Sequence, residues 1–154
     1  MDVKFINPVL QSMVSILKQM AQLEARPGKV QIKQDQNSLG EVTGMMRMDG
    51  KNIQGSIALS FSSAVIFELV KRMLRTEISD IDETAKDLTG ELSNIVVGTS
   101  KTKLVEKGYD IDMSLPKIVV GEKAIINHDI QAPTVVLPFK CDAGVFYVEM
   151  CFKD

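Results

Sequence analysis

The sequence has no tryptophan, a single histidine (His128) and two cysteines in 154 residues, and aromatic side chains make up only 5% of it. It also has no surplus of positive charge: eighteen lysines and arginines against twenty acids leave a net charge of −2. Each shortage excludes something. Duplex-binding proteins carry a basic surplus or patch, so the balance here argues against nucleic acid as a partner. A base-stacking platform needs aromatics that are not present. The longest apolar runs are a few residues, far short of the roughly 20 that cross a bilayer, which predicts no membrane span. The opening Met1-Asp2-Val3-Lys4 has no basic-then-apolar leader with a small-residue cleavage site, so the expected location is cytoplasmic. Cys141 and Cys151 then read as free buried thiols rather than a disulfide. With His128 solitary and no Cys or His pair at ligand spacing, no metal site is expected in this chain.

What the sequence does have is a core: 45% of residues are apolar and 25% charged, the balance of an ordinary globular chain. No linker or low-complexity stretch interrupts it, so residues 1–154 read as a single domain. From Phe5 to Ala25, apolar residues recur at helical spacing, with Pro8 near the start and Arg26-Pro27-Gly28 as the stop. Strand patterns follow at Val30–Ile32, Val42–Met48 and Ile53–Phe61, with Asp49-Gly50 as a hairpin turn. Ser62 or Ser63 caps a second helix, and Ser79 or Asp80 a third, longer one ending near Lys107-Gly108. Strands return at Ile111–Met113, Ile118–Val120, Val135–Phe139 and Val145–Phe152, the last pair joined by Asp142-Ala143-Gly144. Helices and strands segregated in this way imply an α+β fold with a mostly antiparallel sheet and long helices packed on it. Met13, Met20, Met45, Met46 and Met48 are expected as core filler.

The third helix carries the only pattern with chemical content. At 100° per residue, with Asp87 set at zero, Glu91 falls at about +40°, Asn94 at about −20°, Gly98 at about +20° and Lys101 at about −40°. These five form one stripe, while Leu88, Leu92, Ile95 and Thr99 cluster roughly 100° away and are expected to face the core. Two glycines, Gly90 and Gly98, each weaken the helix by about 1 kcal/mol against alanine, which points to a close approach. Periodicity alone leaves the stripe readable as a solvated face.

The segment Leu88-Thr89-Gly90-Glu91-Leu92-Ser93-Asn94, with Asp87 before it and Pro116 well after it, resembles the signature of the CheC/CheX/FliY family of chemotaxis phosphatases. Gly55-Ser56-Ile57-Ala58-Leu59-Ser60-Phe61-Ser62-Ser63 is similar to that family's strand-to-helix entry, and Pro116-Lys117-Ile118-Val119-Val120-Gly121 to the stretch after its long helix. Members of the CheC type carry a second Glu/Asn pair near the first helix. Here Asn7 precedes Pro8-Val9, but Lys4 stands where the glutamate would be, so the resemblance is to CheX-type members with one site per chain.

The resemblance implies a two-layer CheC-like fold and an activity: dephosphorylation of the phospho-aspartate of the response regulator CheY. It assigns Asn94 to positioning the attacking water and Glu91 to docking against a lysine of the partner. Asp87, Gly98 and Lys101 are partner-contact candidates. The Mg²⁺ of the reaction is expected from the partner rather than this chain, and a homodimer is expected as in CheX relatives. A non-catalytic regulator-binding or flagellar-switch-like module of the same fold is the alternative.

Overall fold

The computed structural model describes residues 3–154. Its elements run α1 (Val3–Ala21), β1 (Arg26–Pro27), β2 (Gln31–Ile32), β3 (Val42–Gly50), β4 (Gln54–Phe61), α2 (Ser63–Leu74), α3 (Glu83–Glu106), β5 (Ile111–Met113), β6 (Lys117–Val120), β7 (Val135–Cys141) and β8 (Gly144–Lys153). The strands form one sheet in the order β1-β7-β8-β4-β3-β5, with β2 also on β7 and β6 also on β3. Every pairing is antiparallel. The α+β expectation holds, with all three helices on one face of the sheet.

Several boundaries differ from the sequence reading, for local reasons. Helix α1 ends at Ala21, not Ala25: Gln22 takes a left-handed conformation (φ 50°) and the Leu23 N–H returns to the Leu17 carbonyl at 3.1 Å, tucking the buried Leu23 under the helix end. The hairpin exists, but Asp49-Gly50 belongs to β3 and the turn is Lys51-Asn52, closed by the Gly50 N–H on the Ile53 carbonyl at 2.8 Å. Helix α2 is capped by Ser62, whose Oγ accepts from the Val65 N–H. Helix α3 is capped by Asp82 rather than Ser79 or Asp80; its carboxylate accepts from the Ala85 N–H at 3.1 Å.

Alternation along the strands sorts the two faces. Val42, Met46, Ile57, Leu59, Phe61, Val148 and Met150 point at the helices and are buried. Phe5 of α1 stacks on Phe152 of β8 with ring centroids 4.7 Å apart, and Phe139 stacks on Phe146 at 5.0 Å. Burying a side chain of this size contributes roughly 1.5–3 kcal/mol, so the Phe5–Phe152 pair helps fix α1 on the sheet. Met13, Met46 and Met48 are buried as expected; Met45 is half-buried and Met20 is exposed.

Much of the opposite face is also covered. Segments 28–41 and 121–134 lie across it, joined to each other by Ser38 N–H to Ala124 O and Ile126 N–H to Gln36 O, both 2.6 Å. Under them the sheet is polar. Ser38, Thr43 and Ser60 link their hydroxyls at 3.1 and 2.8 Å. Lys33 pairs with the fully buried Glu149 at 2.9 Å, Glu149 also meets His128 Nε2 at 3.0 Å, and His128 Nδ1 lies 2.6 Å from Ser56 Oγ. The lone histidine of the sequence is thus a buried link in a hydrogen-bonded chain. Both cysteines are free and buried. Burial pushes the Cys151 thiol up from its ordinary range, against smaller opposing effects of Thr134 and Arg47.

Candidate functional site

Helix α3 rests on β3 at a point where both surfaces are small. A Cβ on Gly44 would overlap Ser93 Oγ, and Ser93 Cβ and Thr89 Cγ2 stand only 3.2 and 3.3 Å from that position. Thr89, Ser93 and Ser100 are fully buried, yet their hydroxyls are satisfied within the helix, donating to the carbonyls of Ala85, Thr89 and Val96 at 2.7–2.8 Å. The buried face of α3 is Ala85, Leu88, Thr89, Gly90, Leu92, Ser93, Val96, Val97, Ser100 and Leu104. Ile95 and Thr99, expected in the core, are half-buried. The core face lies opposite the Asp87 stripe, not 100° from it, because it is built from small hydroxyl residues that apolar periodicity does not count.

The stripe itself is where the spacing placed it. Asp87, Glu91 and Asn94 are exposed, and Gly98 and Lys101 are half-buried. Among the described residues, no hydrogen bond or ion pair occupies the Glu91 or Asn94 side chain. Glu91 and Asn94 lie on successive turns, about 4.5 Å apart along the axis. Asn94 opens onto a shallow groove of about 480 Å³ shared with Ile95, Gly98, Thr99 and Lys103.

What approaches the two glycines is the chain's own β5–β6 segment, at Met113, Pro116 and Ile118. A Cβ on Gly98 would lie 3.8 Å from Met113 Cε, and one on Gly90 would lie 3.5 Å from Ile118 Cδ1 and 3.7 Å from Pro116 Cγ. These are ordinary contacts, so neither glycine is required by crowding within the chain. They do locate this segment against α3: Met113 lies over Gly98, and Pro116 and Ile118 lie over Gly90. Pro116, far away in sequence, thus packs on α3 at Gly90, the residue before Glu91.

The counterpart of a second site on α1 is filled differently. Asn7 is exposed, and Lys4 pairs with Asp154 at 3.0 Å. The Tyr109 hydroxyl and then the Asp154 carboxylate hold the Lys4 ammonium above the ordinary lysine range. A cation committed in this way cannot stand in for a docking glutamate.

A cavity of about 560 Å³ lies away from the stripe, between β3, the β5–β6 loop and residues 125–129. Arg47, which lines it, is already held by both oxygens of Asp49 and by the His128 carbonyl. Among the described residues, no group of three or more His, Cys, Asp or Glu converges as a metal would need, and no helix is long and apolar enough to cross a membrane.

Comparison with known proteins gives the family and the fold. A CheY-P phosphatase CheX from Thermotoga maritima is 30% identical over 125 residues, covering 79% of this chain and 78% of its own. A CheC-like superfamily protein from Shewanella sp. PV-4 superposes with a TM-score of 0.93 at 39% identity, over the whole of both chains. The CheX of a Borrelia burgdorferi complex of CheX, CheY, BeF3 and Mg²⁺ shares the fold at a TM-score of 0.76, with 23% identity over 97% of this chain and 98% of that one. The family model of the chemotaxis phosphatase CheX matches residues 42–140, a span that includes β3, the whole of α3 and Pro116; the chain belongs to the CheX family.

Proposed function

We propose that this protein removes the phosphoryl group from the phospho-aspartate of a CheY-type response regulator in the cytoplasm, using Asn94 and Glu91 of α3. The observation that carries the reading is the placement of these two side chains: exposed, without partners, and on an open helix face rather than in the large cavity. A small-molecule substrate is held in a concavity that buries most of it. A phosphoryl group carried on another protein's surface needs the reverse, a projecting helix that enters the partner's site. The membership in the CheX family and the relative named as a CheY-P phosphatase support the same substrate.

Hydrolysis of an aspartyl phosphate needs a water in line with the bond to the carboxylate oxygen, and positioning is the main contribution an enzyme can make. The Asn94 carboxamide both donates and accepts hydrogen bonds. Its oxygen accepts a hydrogen bond from the water and turns the water lone pair toward phosphorus; as the new P–O bond forms, the bond to the aspartate oxygen breaks, the aspartate leaves as a free carboxylate and the water protons leave with the inorganic phosphate. Glu91, one turn earlier, pairs with a cationic side chain beside the phosphoryl group and fixes the register of the two proteins. Asp87 adds negative charge at the same edge, and Gly98 and Lys101 border the far end of the contact. The Mg²⁺ that neutralises the phosphoryl oxygens is the regulator's own; the CheX–CheY complex containing Mg²⁺ is consistent with that source.

Asn94→Ala tests the reading. The side chain is solvent-facing, so the fold and regulator binding should persist, while the turnover of phosphorylated CheY falls roughly 10²-fold or more. Near-parental phosphate release by this variant would remove the mechanism. The protein should also be a homodimer, since CheX relatives are and β6 presents an edge strand beyond β3; light scattering showing a monomer at micromolar concentration would overturn that part.

A further inference from the structure

Met113 and Ile118 both lie against α3, yet an odd number of positions separates them. Side chains alternate across a strand, so two such residues should point to opposite faces of the sheet. The strand pairing explains the exception. Met48 of β3 pairs with Met113, and Met45 pairs with Lys117. Between those pairs β3 contributes Met46 and Arg47, while the facing segment contributes Ser114, Leu115 and Pro116. One extra residue on one strand is a bulge, and it reverses the alternation beyond it. Leu115, 87% exposed, is the residue squeezed out. Pro116 and Ile118 then face the helix together with Met113; strict alternation from Met113 would turn both toward the covering segments.

The bulge is fixed to β3. The Ser114 N–H bonds the Arg47 carbonyl at 3.0 Å, and the Arg47 N–H donates to Ser114 Oγ at 2.8 Å. The Arg47 guanidinium is held in turn by Asp49 and the His128 carbonyl. Pro116 adds a backbone with a locked φ. Where this base meets α3, Gly90 is buried and has no side chain, so Pro116 and Ile118 come up to the helix itself. Gly90 directly precedes Glu91, and Asn94 is its neighbour one turn on along the same side of the helix. Helix α1 bonds α3 further along, Ser12 at Ser100 and Gln11 at Lys103.

We propose that Pro116 and Ile118 are positioning residues for the dephosphorylation: turned inward by the bulge, they brace α3 at Gly90 and hold the turn that carries Glu91 and Asn94. The inference rests on the functional reading above and deepens it. Neither side chain touches the phosphoryl group; both act through the helix backbone. A group that aims a water at phosphorus has to be held to about 0.5 Å, and a misplacement of about 1 Å can lose roughly 10²-fold in rate. Bulges beside active sites serve to re-aim side chains, and here the re-aimed pair lands on the helix turn that carries the two candidate catalytic residues.

The test removes the brace and then refills the gap. Pro116→Ala combined with Ile118→Val deletes Pro116 Cγ and Ile118 Cδ1, the two atoms that stand 3.7 and 3.5 Å from a Cβ on Gly90. Adding Gly90→Ala puts a methyl group back into that space from the helix side. In phosphate release from phosphorylated CheY, the double variant should lose roughly three- to tenfold in kcat, with KM, and Kd for beryllofluoride-activated CheY, within about twofold of the parent. The triple variant should regain most of the kcat, and Gly90→Ala alone should stay within about twofold of the parent. In nuclear magnetic resonance of the isolated protein, the double variant should shift the backbone amides of Glu91 to Asn94 and the triple variant should restore them. Parental kcat in the double variant, or parental amide positions, overturns the brace. A kcat loss that follows the thermal midpoint and is not recovered by Gly90→Ala assigns the pair to stability and overturns it too; so does a rise of KM and Kd with kcat intact, which makes them contact residues. A parent that releases no phosphate from CheY sinks the phosphatase reading, and the amide shifts with their recovery still decide whether Pro116 and Ile118 hold the turn.

Discussion

Gly44→Ala should disturb activity from beneath the site. The new Cβ would occupy the space of Ser93 Oγ and stand 3.2 Å from Ser93 Cβ and 3.3 Å from Thr89 Cγ2. Carbon contacts relax to roughly 3.5–4.0 Å, so α3 has to rise by about 0.5 Å over β3. Overpacking of this kind costs about 1–3 kcal/mol, and alanine returns about 0.5–1 kcal/mol by replacing a glycine inside a strand; the net loss is about 1–2 kcal/mol. Ser93→Ala alone should lie within about 0.5 kcal/mol of the parent, because the hydroxyl bonds only to its own helix and alanine is the better helix former. The double variant loses the overlapping oxygen and keeps the strand gain, so it should recover most of the stability. Urea midpoints at a common slope for the four proteins give the coupling, expected at about 1 kcal/mol or more in the restoring direction. Turnover should follow the same pattern. Misplacing a catalytic group by 1 Å can lose 10²-fold, so about 0.5 Å at Asn94 should lower kcat by roughly tenfold, regained in the double variant. If the double is as unstable as Gly44→Ala alone, Ser93 does not set the height of the helix and the packing argument fails.

Glu91→Gln keeps the shape of the side chain and removes its charge; it should raise KM for phosphorylated CheY at low salt by several-fold, with the difference shrinking as salt screens the lost pair. Parental behaviour at low salt would refute the pairing with a cationic partner residue. Gly98→Ala has open contacts, Met113 Cε at 3.8 Å and Sδ at 3.9 Å, so it should raise the stability of α3 by about 1 kcal/mol in chemical denaturation. If the partner comes as close to Gly98 as its half-buried place on the stripe implies, the same variant binds activated CheY more weakly; unchanged binding removes Gly98 from the contact.

The element order and the stripe were legible because they depend on local spacing. Capping residues, strand alternation and the 3.6-residue period act within a few positions, and Asp87, Glu91 and Asn94 share a face whatever α3 packs against. The core face of α3 was misread because its deepest residues, Thr89, Ser93 and Ser100, are polar by type; their hydroxyls turn back to carbonyls one turn earlier, and only contact with Gly44 shows why small size mattered there. Small residues at Ala85, Thr89 and Ser93, each four apart, were the available signal. The site's other half was out of reach for a different reason. Met113 and Pro116 come to the helix through the pairing of β5 and β6 with β3, a long-range event that no local window contains. His128 looked solitary for the same cause: Ser56 and Glu149 meet it across the sheet, 72 and 21 positions away.

That buried chain from Lys33 through Glu149 and His128 to Ser56 has a consequence for how the molecule opens. Its members come from one covering segment, from β8, from the second covering segment and from β4, and each segment also bonds to the other through Ser38 and Ile126. Lifting either segment alone takes one partner, Lys33 or His128, from a Glu149 carboxylate that the other segment still partly covers, so detachment of one half is disfavoured by about a few kcal/mol. The two segments should thus exchange their amide hydrogens together with the central strands, although much of their own length is exposed loop. A covering that cannot fray by halves keeps the unpaired face of a long antiparallel sheet out of reach of other chains for as long as the protein is folded.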